Sequence, residues 1–142
     1  MGQHAKVAML TITKEFRFDA AHRLYLKDLT EEENRGIYGK CSYFHGHTYR
    51  LQVTISGKVQ PTGMIINFTD LKQLVTERIL SRYDHACLNE LAEYKDLPTT
   101  AENMVLHMFE ALSACLAEKG ITLTRIRLYE TPDSWAEVTH DA

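Results

Sequence analysis

The stretch His45-Gly46-His47-Thr48-Tyr49-Arg50-Leu51-Gln52-Val53-Thr54-Ile55-Ser56 alternates without a break. Its odd positions carry His45, His47, Tyr49, Leu51, Val53 and Ile55, while small and polar side chains fill the even ones. Side chains two apart share one face of an extended strand but splay apart on a helix, so this period predicts a half-buried β-strand. Both imidazoles then continue the apolar, core-directed row. A polar ring in that row needs a partner, either a backbone hydrogen bond or a metal ion. His45 and His47 alone do not choose between the two.

A second alternating segment lies upstream. From Ile12 to His22, Phe16, Phe18, Ala20 and His22 fall on one parity, and Arg17, Asp19 and Ala21 on the other. If the two strands pair antiparallel, His22 at the end of the first meets His45 and His47 at the start of the second. Three neutral imidazoles without a fourth protein ligand describe an open, catalytic zinc site, whereas structural zinc sites are closed by four ligands. Cys41, four residues before His45, offers that fourth ligand, so spacing leaves a closed site in play.

At 142 residues the chain suits one domain spanning 1–142, with residues 1–8 expected to be a flexible N-terminus. A hydrophobic content of 44% and a charged content of 25% are ordinary for a globular protein. The net charge of -3, with basic residues scattered rather than clustered, argues against nucleic acid as a partner. No long apolar run suggests membrane insertion or secretion. The odd count of three cysteines, Cys41, Cys87 and Cys115, fits reduced thiols in a cytoplasm, with Cys87 and Cys115 expected to be structural.

The rest reads as an α+β order, ββααββ. Residues 24 to 44 are the least regular, and the acidic run Glu31-Glu32-Glu33 reads as a solvated loop or short helix. Leu71, Leu74, Val75 and Ile79 recur at helical spacing up to about Arg82. Thr99 and Glu102 have capping-box spacing before a second helix, whose stripe is Met104, Val105, Met108, Phe109, Leu112, Cys115 and Leu116. Gly120 stops it. A third strand is expected to carry Thr122, Thr124, Ile126, Leu128 and Glu130 on one face, and a last strand runs from Trp135 to Thr139.

Two features stand out against that scaffold. Glu130 ends an apolar row, where an inward carboxylate calls for a ligand with paired N–H donors unless it bends out to solvent. Asp84-His85 directly follows the first predicted helix, and a carboxylate beside an imidazole can orient a general acid or base, or simply cap the helix.

Taken together, Phe18-Asp19-Ala20-Ala21-His22-Arg23, Gly39-Lys40-Cys41, His45-Gly46-His47-Thr48-Tyr49, Asp84-His85 with Leu88-Asn89, Thr100-Ala101-Glu102-Asn103 and Tyr129-Glu130-Thr131 resemble the 6-pyruvoyltetrahydropterin synthase and 6-carboxytetrahydropterin synthase family. The resemblance runs from about residue 11 to 139. It implies the tunnelling, or T-fold, architecture: an antiparallel sheet with two helices on one face. Six subunits, as two trimers, then form a homohexamer with active sites between them. It also implies Zn2+ on His22, His45 and His47, Cys41 as the proton-abstracting base, and Asp84 with His85 as a second proton-transfer unit. Glu130 would anchor the pterin, with Thr100 either assisting or simply starting the second helix.

The implied substrate is 7,8-dihydroneopterin triphosphate, with Arg23, Lys27, Lys40 and Arg50 as candidate cations for its triphosphate. The four-residue step from Cys41 to His45 resembles the carboxy branch, in the route to queuosine. Leu29 to Asn34 and Asn67 resemble the pyruvoyl branch. Relatives resembling a pterin aldolase usually carry Glu in place of the cysteine that is present here.

Overall fold

The computed structural model describes residues 9–141, so the expectation for residues 1–8 lies outside the described residues. Strand β1 (Ile12–His22) pairs antiparallel with β2 (His45–Ser56) in one register, from Ile12 opposite Ile55 to His22 opposite His45. The alternation makes this pairing the favoured one. It buries Phe16, Phe18 and Ala20 of β1 against the helices together with Tyr49, Leu51, Val53 and Ile55 of β2. A slip of one residue would turn every one of them to the other face. Each fully buried side chain of this size contributes roughly 1.5–3 kcal/mol of transfer free energy.

Beyond β2, helix α2 (Phe68–Val75) runs on through a π-turn (Thr76–Leu80) into a last turn, α3 (Ser81–Tyr83). A two-residue strand β3 (Ala86–Cys87) follows, then α4 (Ala101–Ala117), β4 (Thr122–Thr131) and β5 (Ser134–Thr139). The sheet order is β3-β1-β2-β4-β5, antiparallel except for β3, which lies parallel to β1. Leu71, Val75, Ile79 and Tyr83 join Met104, Met108, Leu112 and Leu116 in one buried cluster with the sheet's inner row. The architecture is the expected α+β arrangement, with the two long helical segments on one face.

Of the solvated loop or short helix expected for the acidic run, the structure has the helix, α1 (Glu31–Tyr38), opened by a capping box. Glu33 N–H donates to the Thr30 hydroxyl at 3.1 Å, and Thr30 N–H donates to the Glu33 carboxylate at 2.9 Å. The acidic run thus occupies a first turn, where the helix dipole favours it. The face expected for β4 is broken by a bulge: Thr54 faces Arg125 but Ile55 faces Leu123, so Leu123 is buried instead of Thr122. The extra residue, Thr124, flips the parity below it. Thr100, not Thr99, caps α4, its hydroxyl accepting from Asn103 N–H at 3.2 Å. Finally, β3 adds a short parallel edge to the ββααββ order.

Candidate active site

The end of the β1–β2 pair gathers three imidazoles. Ring centroids lie 4.7 Å apart for His22 and His45, 4.8 Å for His45 and His47, and 5.3 Å for His22 and His47. One ring nitrogen of each falls within 4.8 Å of the other two. His22 is fully buried, and its Nδ1 sits 3.0 Å from the Thr99 carbonyl oxygen and 3.1 Å from the Thr99 hydroxyl. A carbonyl only accepts, so Nδ1 carries the proton and Nε2 keeps a lone pair. His45 follows the same rule, with Nδ1 2.7 Å from the Tyr43 carbonyl oxygen.

His47 Nε2 is buried with no hydrogen-bond partner among the described residues. In two of the rings one nitrogen is fixed on backbone and the other is left for a ligand. An orphaned buried nitrogen beside two rings whose Nε2 carries a lone pair fits a metal ion, and three nitrogen donors suit zinc.

Burial, reinforced by the neighbouring His45 and His47, lowers the His22 pKa from its ordinary 6.5 to about 4. Burial likewise lowers that of His47, with the Glu130 charge acting the other way and His45 adding to the fall. For His22 and His47 the neutral imidazole that a metal needs is thus the native form at neutral pH. In the metal-free protein the unfolded chain binds a proton at His22 below pH 6.5 that the folded chain refuses until about pH 4. Stability is therefore fully present above pH 6.5 and falls as the pH drops through this window, by on the order of 3 kcal/mol. Thermal melts of the apo protein between pH 7 and 4 should show this loss, and His22→Gln should flatten it; an equally steep decline in that variant would place the cause elsewhere.

Glu130 is the extra residue of a second bulge, between Tyr129 opposite Trp135 and Thr131 opposite Ser134. Its carboxylate reaches to 3.9 Å from His22 Nε2 and remains partly open to solvent. The Tyr49 hydroxyl, also buried, lies 3.5 Å from the same nitrogen. Burial, then the Glu130 charge, pushes that phenol well above its ordinary pKa, so it stays a neutral donor.

The second cluster is Asp19, Asp84 and His85. Asp84 follows α3, and His85 takes a positive φ of 63°, a backbone form that non-glycine residues hold at a cost of order 1–3 kcal/mol. Hydrogen bonds to β1 enforce it: His85 N–H donates to the Asp19 carbonyl at 2.6 Å, and Asp19 N–H donates to Asp84 Oδ1 at 3.0 Å. His85 Nδ1 then stands 3.1 Å from Asp84 Oδ1, with the ring largely exposed. The Asp19 carboxylate accepts from the Thr48 hydroxyl at 2.5 Å. One groove, of about 420 Å³, is lined by both His47 and His85. A neighbouring one of about 540 Å³ joins His47 to Glu130, Arg17 and Arg50.

Cys41 is exposed on a 3-10 turn (Gly39–Ser42) and stands outside the three-histidine group, its carbonyl accepting from Leu24 N–H at 2.7 Å. Among the candidate cations, Lys27 is tied to Asp96 and Arg23 to Glu31, while Arg50 bonds Glu15 at 3.2 Å and lies over the Tyr129 ring. Lys40 has no carboxylate within ion-pair distance among the described residues, a geometry that sequence could not supply. Thr99, Asp19 and Tyr49 were absent from the sequence-level site. The Thr99-Thr100 doublet held a usable signal for one of them, since only one of two adjacent threonines can cap the helix.

The family model described as 6-pyruvoyl tetrahydropterin synthase matches residues 11–141. The chain is 39% identical over 124 residues to 6-pyruvoyl tetrahydrobiopterin synthase of Poecilia reticulata, covering 84% of this chain and 83% of that one. It is 34% identical over 151 residues to 6-carboxy-5,6,7,8-tetrahydropterin synthase of Haemophilus influenzae, covering 91% and 98%. Among solved structures, the Caenorhabditis elegans 6-pyruvoyl tetrahydropterin synthase superimposes with a TM-score of 0.84 at 31% identity, over 94% of this chain and 97% of that one.

Proposed function

Because the chain belongs to the 6-pyruvoyl tetrahydropterin synthase family, we propose that it is a zinc-dependent lyase converting 7,8-dihydroneopterin triphosphate to 6-carboxy-5,6,7,8-tetrahydropterin. Triphosphate and acetaldehyde leave, in the route toward queuosine. The observation that carries this reading is the convergence of His22, His45 and His47 on one point, with His47 Nε2 buried and unpartnered there. The three imidazoles would hold the ion. When bound, zinc supplies Lewis acidity that stabilises charge on the substrate's side-chain oxygens and acidifies the neighbouring C–H bonds.

The chain's own groups supply the rest. Glu130 accepts the paired N–H donors of the pterin edge and fixes the ring beside the imidazoles. The Thr100 hydroxyl, which uses a lone pair to cap α4, keeps its own hydrogen to donate to the pterin. Cys41 takes a carbon-bound proton on Sγ as thiolate. Asp84 holds Nδ1 of His85, so Nε2 is the atom that gives or takes the second proton. The single domain assembles as a cytoplasmic homohexamer, two trimers with sites between subunits, through the open sheet edges at β3 and β5.

The product assignment rests on the four-residue step from Cys41 to His45. The pyruvoyl alternative draws on Leu29 to Asn34 and on Asn67, but each of these has a structural task. Thr30 and Glu33 close the capping box of α1, and buried Asn34 bonds the Leu26 backbone at N–H and C=O. Asn67 caps α2 by accepting from Thr69 N–H at 2.9 Å, a task Asp performs equally well. Mass spectrometry of the products formed anaerobically from 7,8-dihydroneopterin triphosphate decides the matter. Carboxy-pterin with acetaldehyde is expected. A pyruvoyl-pterin selects the alternative, and no conversion by zinc-replete protein leaves only a non-catalytic, zinc-stabilised pterin-binding module.

A further inference from the structure

We propose that Thr99 is a positioning residue for the metal centre, holding the His22 ring so that Nε2 rather than Nδ1 faces His45 and His47. The inference rests on the metal reading of the three imidazoles given above.

Thr99 is fully buried and belongs to no sheet or helix. It presents two acceptors to one ring nitrogen: its carbonyl oxygen at 3.0 Å and its hydroxyl at 3.1 Å from His22 Nδ1. The carbonyl forces the proton onto Nδ1, because two acceptors cannot face each other in a dry site without loss. The hydroxyl can accept from the ring because its own hydrogen is directed at the Arg23 carbonyl, 3.4 Å away.

The surroundings keep this geometry stiff. Asn89 binds Arg23 at both backbone groups, accepting from its N–H at 2.9 Å and donating to its C=O at 2.9 Å. Asn103 Nδ2 donates to the Pro98 carbonyl at 2.9 Å, and Thr100 caps α4, so the residues on both sides of Thr99 are anchored. His22 is thereby set from outside its own strand. A ring turned over would point carbon at the Thr99 carbonyl and withdraw its lone pair from the cluster. Outer partners of this kind change metal affinity by roughly 10–100-fold when removed.

The test compares wild type, Thr99→Val and Thr99→Ser, loaded with zinc alone and titrated with a chromogenic chelator. Thr99→Val is expected to weaken zinc by about 10-fold or more, since the carbonyl acceptor remains, and Thr99→Ser to recover most of the loss. Equal affinity in folded Thr99→Val overturns the assignment while leaving the metal reading intact. A wild-type protein that takes up no zinc overturns the metal reading instead. Should Thr99→Val fail to fold, long-range nitrogen–proton NMR of the metal-free wild type decides. A His22 protonated at Nδ1 is expected, and one protonated at Nε2 overturns the inference.

Discussion

Replacing His22 with alanine is expected to remove stoichiometric zinc and turnover together. Zinc affinity should fall by well over the roughly 10–100-fold typical of losing an outer partner, because a ligand itself is lost. The ring is fully buried between Thr99, Tyr49 and the other two imidazoles, so its removal also opens a cavity. A large-to-small change at such a position costs about 2–5 kcal/mol. His45→Ala sits nearer solvent and should lose zinc with a smaller fall in melting temperature. Metal content by atomic spectroscopy and a thermal melt separate the two effects. A His22→Ala protein that keeps one zinc per chain and wild-type turnover would falsify the three-imidazole centre.

Cys41→Ala is expected to give the opposite pairing: zinc content unchanged, turnover down by about 10²–10⁴-fold, the range for losing a general base. The thiol lies outside the three-histidine group and at the surface, which is where a base can meet a substrate that docks from outside. Its place is nonetheless tightly set. The short 3-10 turn leads into β2 after two residues, and the bond from Leu24 N–H to the Cys41 carbonyl ties it to the segment that follows His22. If the variant loses zinc in proportion to activity, Cys41 is a fourth ligand and the site is closed. That single measurement separates the two roles that sequence spacing left open.

The fold was legible because its central pair of strands carries an unbroken period of two, and burial of one face fixes the register without help from the rest of the chain. The same logic brought His22 to His45 and His47, since antiparallel pairing turns distance along the sequence into adjacency. What sequence did not reveal depends on single residues out of step with the period. The bulges at Thr124 and Glu130 change which side chains face inward, yet leave no mark in composition. The run of three glutamates reads as solvated charge and so masks the capping box at Thr30 and Glu33. Thr99 has capping-box spacing to Glu102 and Thr100 can equally start the helix, so the sequence leaves both open, and the geometry has Thr100 as the cap while Thr99 turns inward to His22. Asp19 contributes chiefly through its backbone N–H and C=O, and no side-chain pattern encodes those.

The π-turn at Thr76–Leu80 bears on which insertions and deletions the chain tolerates. A π-turn accommodates one residue more than a regular helical turn without displacing what flanks it. Deleting a residue there would restore the regular winding with the flanks kept in place, so Tyr83, whose hydroxyl meets that of Tyr94 at 2.6 Å inside the core, would stay there and Asp84 would keep the Asp19 N–H. The same deletion in the regular turns of α2 (Phe68–Val75) would instead rotate everything downstream by about 100° and shift it by about 1.5 Å along the axis, undoing the alignment of His85. The exposed turn at Pro61-Thr62-Gly63 would absorb a length change locally.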